Sequence, residues 1–118
     1  MDKVEKILEK YKIYIGVKDV KLVIRPYKAR DAFSDLTNRV IYLNEYLIDD
    51  EEVVEYLIIR ELIHIKLHQY PQPRYSVSTL TYTDKFYSTL YFLIPTEKVE
   101  EMRERIFKKL IEVNRRLQ

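Results

Sequence analysis

Arg60, Glu61, His64 and His68 lie in the second half of a stretch, residues 50–69 (DEEVVEYLIIRELIHIKLHQ), that is rich in apolar residues. A helix advances by about 100° per residue, so these positions fall within an arc of about 100° and share one face. Burying polar groups costs free energy unless they pair, bind a ligand or line a cleft. The stretch therefore predicts a helix with a polar stripe, where any chemistry of the protein is expected.

The stripe contains part of a zinc-binding pattern. In HExxH, two histidines one helical turn apart hold the metal, and the glutamate takes a proton from the metal-bound water. The segment RELIH keeps Glu61 and His64 in register, but Arg60 stands at the first histidine position. A guanidinium stays protonated, so it offers a metal no lone pair and repels a dication. We predict that Arg60 fills the vacated position and pairs with Glu61 or Asp84.

Two interpretations of these residues stay open. In the first, Glu61 is an ion-pair partner, His64 is a buried hydrogen-bonded histidine, and no cofactor is expected. In the second, Glu61 is a general base. A shifted zinc site then uses His64 and His68, which are four residues apart, together with Glu61 or Asp84. Nearby tyrosines either line a ligand groove or pack with their hydroxyls at its edge; these are Tyr70, Tyr75, Tyr82, Tyr87 and Tyr91.

The flanking patterns predict the elements that position this helix. Helical spacing of apolar residues predicts a first helix over residues 2–14, ended by Gly16. Alternation predicts a strand over residues 20–25, and residues 32–34 and 40–44 predict a hairpin with a turn at 35–38. An exposed loop is expected over residues 71–80, followed by a helix from Thr81 or Thr83 to Pro95 and a last helix from Thr96. The fold class is α+β, with a small sheet of two or three strands.

These patterns together resemble a known scaffold. The segment from Arg39 to His68, RVIYLNEYLIDDEEVVEYLIIRELIHIKLH, is similar to the strand, acidic loop and HELxH helix of small gluzincin-type zinc peptidases. TDKFYSTLYFLIP, residues 83–95, resembles a downstream helix of ImmA-type peptidases. The pattern as a whole resembles the minigluzincin group of minimal soluble peptidases, together with the ImmA-type and SprT-like groups. The resemblance implies a zincin-like fold and a third zinc ligand, normally glutamate, near residues 80–84, where Asp84 is the carboxylate present.

Composition limits the remaining possibilities. The 118 residues are enough for one zincin-like domain spanning residues 1–118. The net charge of +2 gives little support to the alternative of a small nucleic-acid-binding regulator. The chain has no cysteine and no long apolar run, so we expect a cytoplasmic protein without a membrane span. One glycine and many charged residues favour a thermophilic source. The expected partner is an extended peptide or protein held in the cleft.

Overall fold

The computed structural model describes residues 2–67 and 77–117, and for residues 77–83 it describes the backbone. The elements follow one another as α1 (Lys3–Ile15), β1 (Lys21–Arg25), β2 (Ala32–Asp35), β3 (Val40–Asn44), a short 3-10 turn (Glu45–Leu47), α2 (Glu51–Leu67), α3 (Val77–Leu93) and α4 (Thr96–Leu117). The predicted α+β class and the order of its elements are confirmed.

Both ends of α1 follow from local chemistry. The Asp2 carboxylate accepts a hydrogen bond from the Glu5 backbone N–H at 2.9 Å, which satisfies one of the free amides of the first turn. Gly16 ends the helix in the left-handed conformation, with φ of 83°. A side chain at this position would be strained, so the glycine sets the point at which the chain leaves α1.

The three strands form one sheet in the order β1-β3-β2. Strands β2 and β3 are the predicted hairpin, antiparallel and in register from the pair Ala32–Leu43 to the pair Asp35–Val40. Strand β1 pairs with β3 in parallel. This arrangement puts β3 in the centre of the sheet and leaves β2 at one edge.

Helix α2 lies at the centre of the core. It contacts α1, α3, α4 and the strands β2 and β3, and Ile58, Leu62 and Ile63 are completely buried. Contact with neighbours on several sides explains why its sequence is apolar nearly all round. Its first turn is capped by the Asp50 carboxylate, which accepts from the Val53 backbone N–H at 3.3 Å.

Helix α3 begins earlier than the sequence predicted. It starts at Val77, so the expected loop over residues 71–80 was wrong for residues 77–80, and the rest of that segment lies outside the described residues. The hydroxyl and β-branched residues of this stretch lower helix propensity by only a few tenths of a kcal/mol each, whereas a proline would stop the helix. No proline occurs between residues 74 and 94.

Within the described ranges, none of the helices combines the length and hydropathy needed to cross a bilayer.

Candidate functional site

Arg60 lies on the side of α2 that faces the edge of the sheet. Its guanidinium makes a two-pronged ion pair with Asp31: Nη1 and Nη2 each donate to a carboxylate oxygen at 2.9 Å. Nε donates to Glu61 Oε2 at 2.8 Å, and Nη2 also donates to the Ala32 carbonyl oxygen at 3.1 Å. The expected pair with Glu61 is therefore present, and the second carboxylate comes from the strand side of the cleft.

Glu61 is one of the few buried charged residues, with 3% of its surface exposed. Its second oxygen, Oε1, accepts a hydrogen bond from the Ser34 hydroxyl at 2.9 Å. A buried carboxylate is costly unless it is paired and hydrogen-bonded. Arg60 on one oxygen and Ser34 on the other supply both, so each oxygen of Glu61 has a hydrogen-bond donor.

Asp31 is placed by the loop between β1 and β2. Asn44, completely buried at the end of β3, holds that loop: its Nδ2 donates to the carbonyl oxygens of Tyr27 and Arg30 at 2.7 Å each. Its Oδ1 accepts from the backbone N–H groups of Tyr27 and Tyr46 at 3.3 and 3.0 Å. The Asn44 backbone N–H also donates to the Asp31 carbonyl at 2.9 Å. The last residue of the predicted strand thus fixes the partner of Arg60.

The charges of this cluster reinforce each other. Burial alone would raise the pKa of Asp31, but the hydrogen bonds and positive charge of Arg60 outweigh burial and hold that pKa below its ordinary value. Burial likewise disfavours the charged form of Arg60, yet Asp31 and Glu61 raise its pKa well above the usual one. Arg60 therefore remains a cation at every pH at which the protein is folded.

His64 lies one turn further along α2 and faces α3. Its ring stacks on Phe86, with centroids 4.4 Å apart and planes inclined by 21°. Burial lowers the pKa of His64; the charges of Glu61 and Arg60 act on it in opposite directions. A neutral imidazole at this position is compatible with metal binding and with a stacked core histidine.

The other predicted metal ligands do not join this cluster in the described residues. Asp84 is exposed. It is two residues from Phe86, which places it about 200° away around α3 from the ring that covers His64. His68 lies outside the described residues. In residues 2–67 and 77–117, no three histidine, aspartate or glutamate side chains are grouped so as to hold a metal ion.

A pocket of about 460 Å³ opens beside Arg60 and His64; its lining residues are Asp31, Tyr56, Arg60, His64, Phe86, Tyr87 and Arg103. Tyr87 stacks on the partly buried Tyr91, with centroids 5.8 Å apart. Of the predicted tyrosine set, Tyr87 alone is among these lining residues, while Tyr70 and Tyr75 and the side chain of Tyr82 lie outside the described part. The pocket combines an aromatic wall from α3 with charged groups from the β1–β2 loop, α2 and α4.

The hydrogen-bond pattern of the sheet shows which backbone groups of β2 point away from β3. Since the Asn44 N–H donates to the Asp31 carbonyl, and antiparallel residues alternate in direction, Ala32 and Ser34 point their backbone groups away from β3. At Ala32 both groups are occupied: the N–H donates to Asp31 Oδ1 at 2.6 Å, and the carbonyl accepts from Arg60. The outer edge of β2 is thus closed at Ala32.

Sequence reasoning missed four contributors to the site. Tyr56 lies four residues before Arg60 on the same face of α2, and this helical spacing could have indicated it. Asp31, Ser34 and Arg103 come from the β1–β2 loop, β2 and α4, and no spacing in the sequence links them to Arg60. Asn44 gave a partial signal, because it ends the strand pattern that carries the family resemblance. No pattern in the sequence indicated that α4 packs against α2 and so brings Arg103 to the pocket.

Comparison with known proteins places this arrangement in a family. No family model matches the sequence. The chain is 34% identical over 94 residues to the uncharacterized protein aq_aa15 of Aquifex aeolicus. This alignment covers 76% of this chain and 86% of that protein. This chain belongs to the same family. It is also 30% identical over 84 residues to the uncharacterized protein MJ1213 of Methanocaldococcus jannaschii, covering 68% of this chain and 64% of that one.

Two solved structures show what the fold is. The metallopeptidase zymogen of Pyrococcus abyssi abylysin superimposes with a TM-score of 0.70 at 29% identity, over 91% of this chain and 94% of that one. The zymogen of Methanocaldococcus jannaschii jannalysin gives a TM-score of 0.72 at 23% identity, over 93% and 99%. This chain therefore has a metallopeptidase-like, minigluzincin-like scaffold, as the pattern of strand, loop and helix in its sequence predicted.

Proposed function

We propose that this protein is a metallopeptidase-like, minigluzincin-type protein whose cleft binds an extended peptide or protein segment without zinc-dependent hydrolysis. The observation that supports this proposal most directly is the position of the Arg60 guanidinium. It bridges Glu61, from the motif, to Asp31, from the sheet edge, at distances of 2.8 and 2.9 Å.

The electrostatics of the cluster support the loss of zinc chemistry. A peptidase glutamate acts on a metal-bound water, whereas both oxygens of Glu61 already accept hydrogen bonds, from Arg60 and Ser34. A dication placed beside His64 would approach a guanidinium that cannot give up its proton. A catalytic zinc site also needs three protein ligands and an open position. Of the HExxH ligand pair, His64 is the one that the sequence retains.

The edge position of β2 supports the peptide-binding part of the proposal. An extended peptide can add to an exposed sheet edge through main-chain hydrogen bonds, and β2 bonds to β3 on one side. Ser34 presents its backbone groups on the other side, next to the cleft. Backbone hydrogen bonds to the edge of β2 would hold the partner, and the partner would not be cleaved.

Metal analysis tests the proposal directly. Protein purified without chelator is expected to contain well below one zinc per chain, and a chelator is expected to leave its melting temperature unchanged. A bound metal would instead raise the melting temperature by mass action.

The rival function is an active zinc peptidase using Glu61 with His64, His68 or Asp84. It requires one zinc per chain, metal-dependent cleavage of an unstructured protein such as casein, and loss of both in His64→Ala. Observing all three would overturn the proposed function.

A further inference from the structure

Arg103 is the charged group of the pocket that the Arg60 cluster does not use. It lies on α4, and its Nη1 pairs with Glu100 at 3.1 Å. Both side chains are well exposed, at 43% and 62%, so solvent weakens this pair and Arg103 can exchange Glu100 for another anion. The pKa of Arg103 is raised, chiefly by the hydrogen bond between its guanidinium and the Tyr56 hydroxyl. Tyr56 itself is 2% exposed, which anchors this contact to the core.

Arg60, by contrast, is not available to a ligand. Four hydrogen bonds from its five N–H donors go to Asp31, Glu61 and Ala32. Asp31 and Glu61 together offset its charge and leave the cluster with one excess negative charge. The positive charge that can meet an incoming anion is therefore that of Arg103.

The closed edge of β2 decides which part of a peptide reaches this pocket. A peptide pairing with Ser34 and extending toward the start of the strand meets Ala32, whose N–H and carbonyl are taken by Asp31 and Arg60. Main-chain pairing cannot continue past this residue. An extended peptide has to end there or turn away from the sheet, and the pocket containing Arg103 lies at that point.

We propose that the pocket binds the C-terminal residue of an extended peptide, with its α-carboxylate on Arg103 and its side chain against the ring of Tyr87, which is 38% exposed. This inference rests on the proposed peptide-binding function and names its ligand class. A guanidinium binds a carboxylate through two parallel hydrogen bonds. An aromatic or large aliphatic last residue would cover the part of the Tyr87 ring that is exposed to solvent.

The test compares peptides that differ only at the carboxyl end. Fluorescence anisotropy would follow N-terminally labelled Ala-Ala-Ala-Ala-Phe as the free acid and as the carboxamide, and a third carboxamide peptide with aspartate before the phenylalanine. We expect the free acid to bind at least about tenfold more tightly than the carboxamide, because charged hydrogen bonds contribute about 1.5–3 kcal/mol. The aspartate peptide should bind like the plain carboxamide.

Arg103→Gln should remove the difference between acid and carboxamide, and Arg103→Lys should restore part of it. Arg116→Gln is the matched control, because Arg116 lies on the same helix, is 61% exposed and pairs with a glutamate one turn away. It should leave the difference intact. Circular dichroism melting of each variant checks that the fold is retained.

Equal binding of acid and carboxamide would overturn this inference while leaving the peptide cleft in place. Tight binding of the aspartate peptide would overturn the assignment to a chain end. Absence of binding by all three peptides up to millimolar concentration would refute the pocket as a peptide site. The metal measurement above, which does not depend on these peptides, separately decides whether the protein is a zinc enzyme.

Discussion

Replacing Arg60 by methionine tests whether the guanidinium stabilises the cleft in the place of a metal. Methionine keeps the unbranched stem of the side chain and removes the charge and all four hydrogen bonds. Removing one partner of a buried ion pair costs about 3–5 kcal/mol, because the other partner stays buried and unpaired. Glu61 is 3% exposed and would bear most of this cost. The Asp31 side chain is 26% exposed and can be partly rehydrated. We therefore expect a loss of about 3 kcal/mol in the free energy of unfolding at pH 7.

The cost should depend on pH in a defined direction. Arg60 holds the pKa of Asp31 below its ordinary value. A carboxylate with a depressed folded-state pKa contributes stability above its unfolded pKa of about 3.9, and this contribution is lost as the pH falls through the folded-state pKa. The wild-type protein has that contribution at neutral pH and Arg60→Met lacks it. The difference between the two should therefore be largest near pH 7, decrease as the pH falls, and be smallest at pH 3, below the unfolded pKa of about 3.9.

Guanidinium chloride unfolding, followed by circular dichroism at pH 7, 5 and 3, would measure both effects. Arg105→Met is the matched control: Arg105 contacts Asp50, Glu52 and Glu101, but its side chain is 36% exposed. The control should cost much less than Arg60→Met, because Arg105 and its partners are exposed to solvent, which screens their ion pairs. The reasoning fails if Arg60→Met costs as little as Arg105→Met, or if its cost is the same at pH 7 and pH 3.

Three further substitutions probe the site and the fold. Arg60→His should create zinc binding measurable by calorimetry. Adding His64→Ala should abolish this binding. Adding Asp31→Asn should weaken it, because Asp31 is the carboxylate that loses its arginine partner in Arg60→His. Binding that survives both additions would contradict this. Asn44→Ala should cost about 3 kcal/mol in urea unfolding, since four hydrogen bonds of a buried amide are lost; a cost below 1 kcal/mol would refute its anchoring role. Gly16→Ala should lower stability by about 1 kcal/mol, because φ is 83° and the new Cβ would lie 3.1 Å from the Lys66 Nζ; an unchanged melting temperature would argue against strain there.

Much of the fold could be read from local patterns. The ends of α1, the hairpin of β2 and β3 and the apolar helix α2 follow from Gly16, from turn residues and from periodicity, which act between near neighbours in sequence. The start of α3 could not be read this way. Hydroxyl and β-branched residues make a loop and a helix nearly equal in local free energy, so packing decides between them. The parallel pairing of β1 with β3 is also a long-range choice.

The sequence by itself determined that a permanent cation replaces the first histidine of the HExxH pattern, because arginine cannot become a neutral ligand at any pH of interest. It also indicated Glu61 as a candidate partner of that cation, but side chains of consecutive helical residues point about 100° apart, so the structure was needed to establish the pair. Only the tertiary structure decided that Asp31 and Arg103 belong to the same cleft. Their positions depend on how a loop anchored by Asn44 and the distant helix α4 pack around α2, and such packing is set by the whole core rather than by any local pattern.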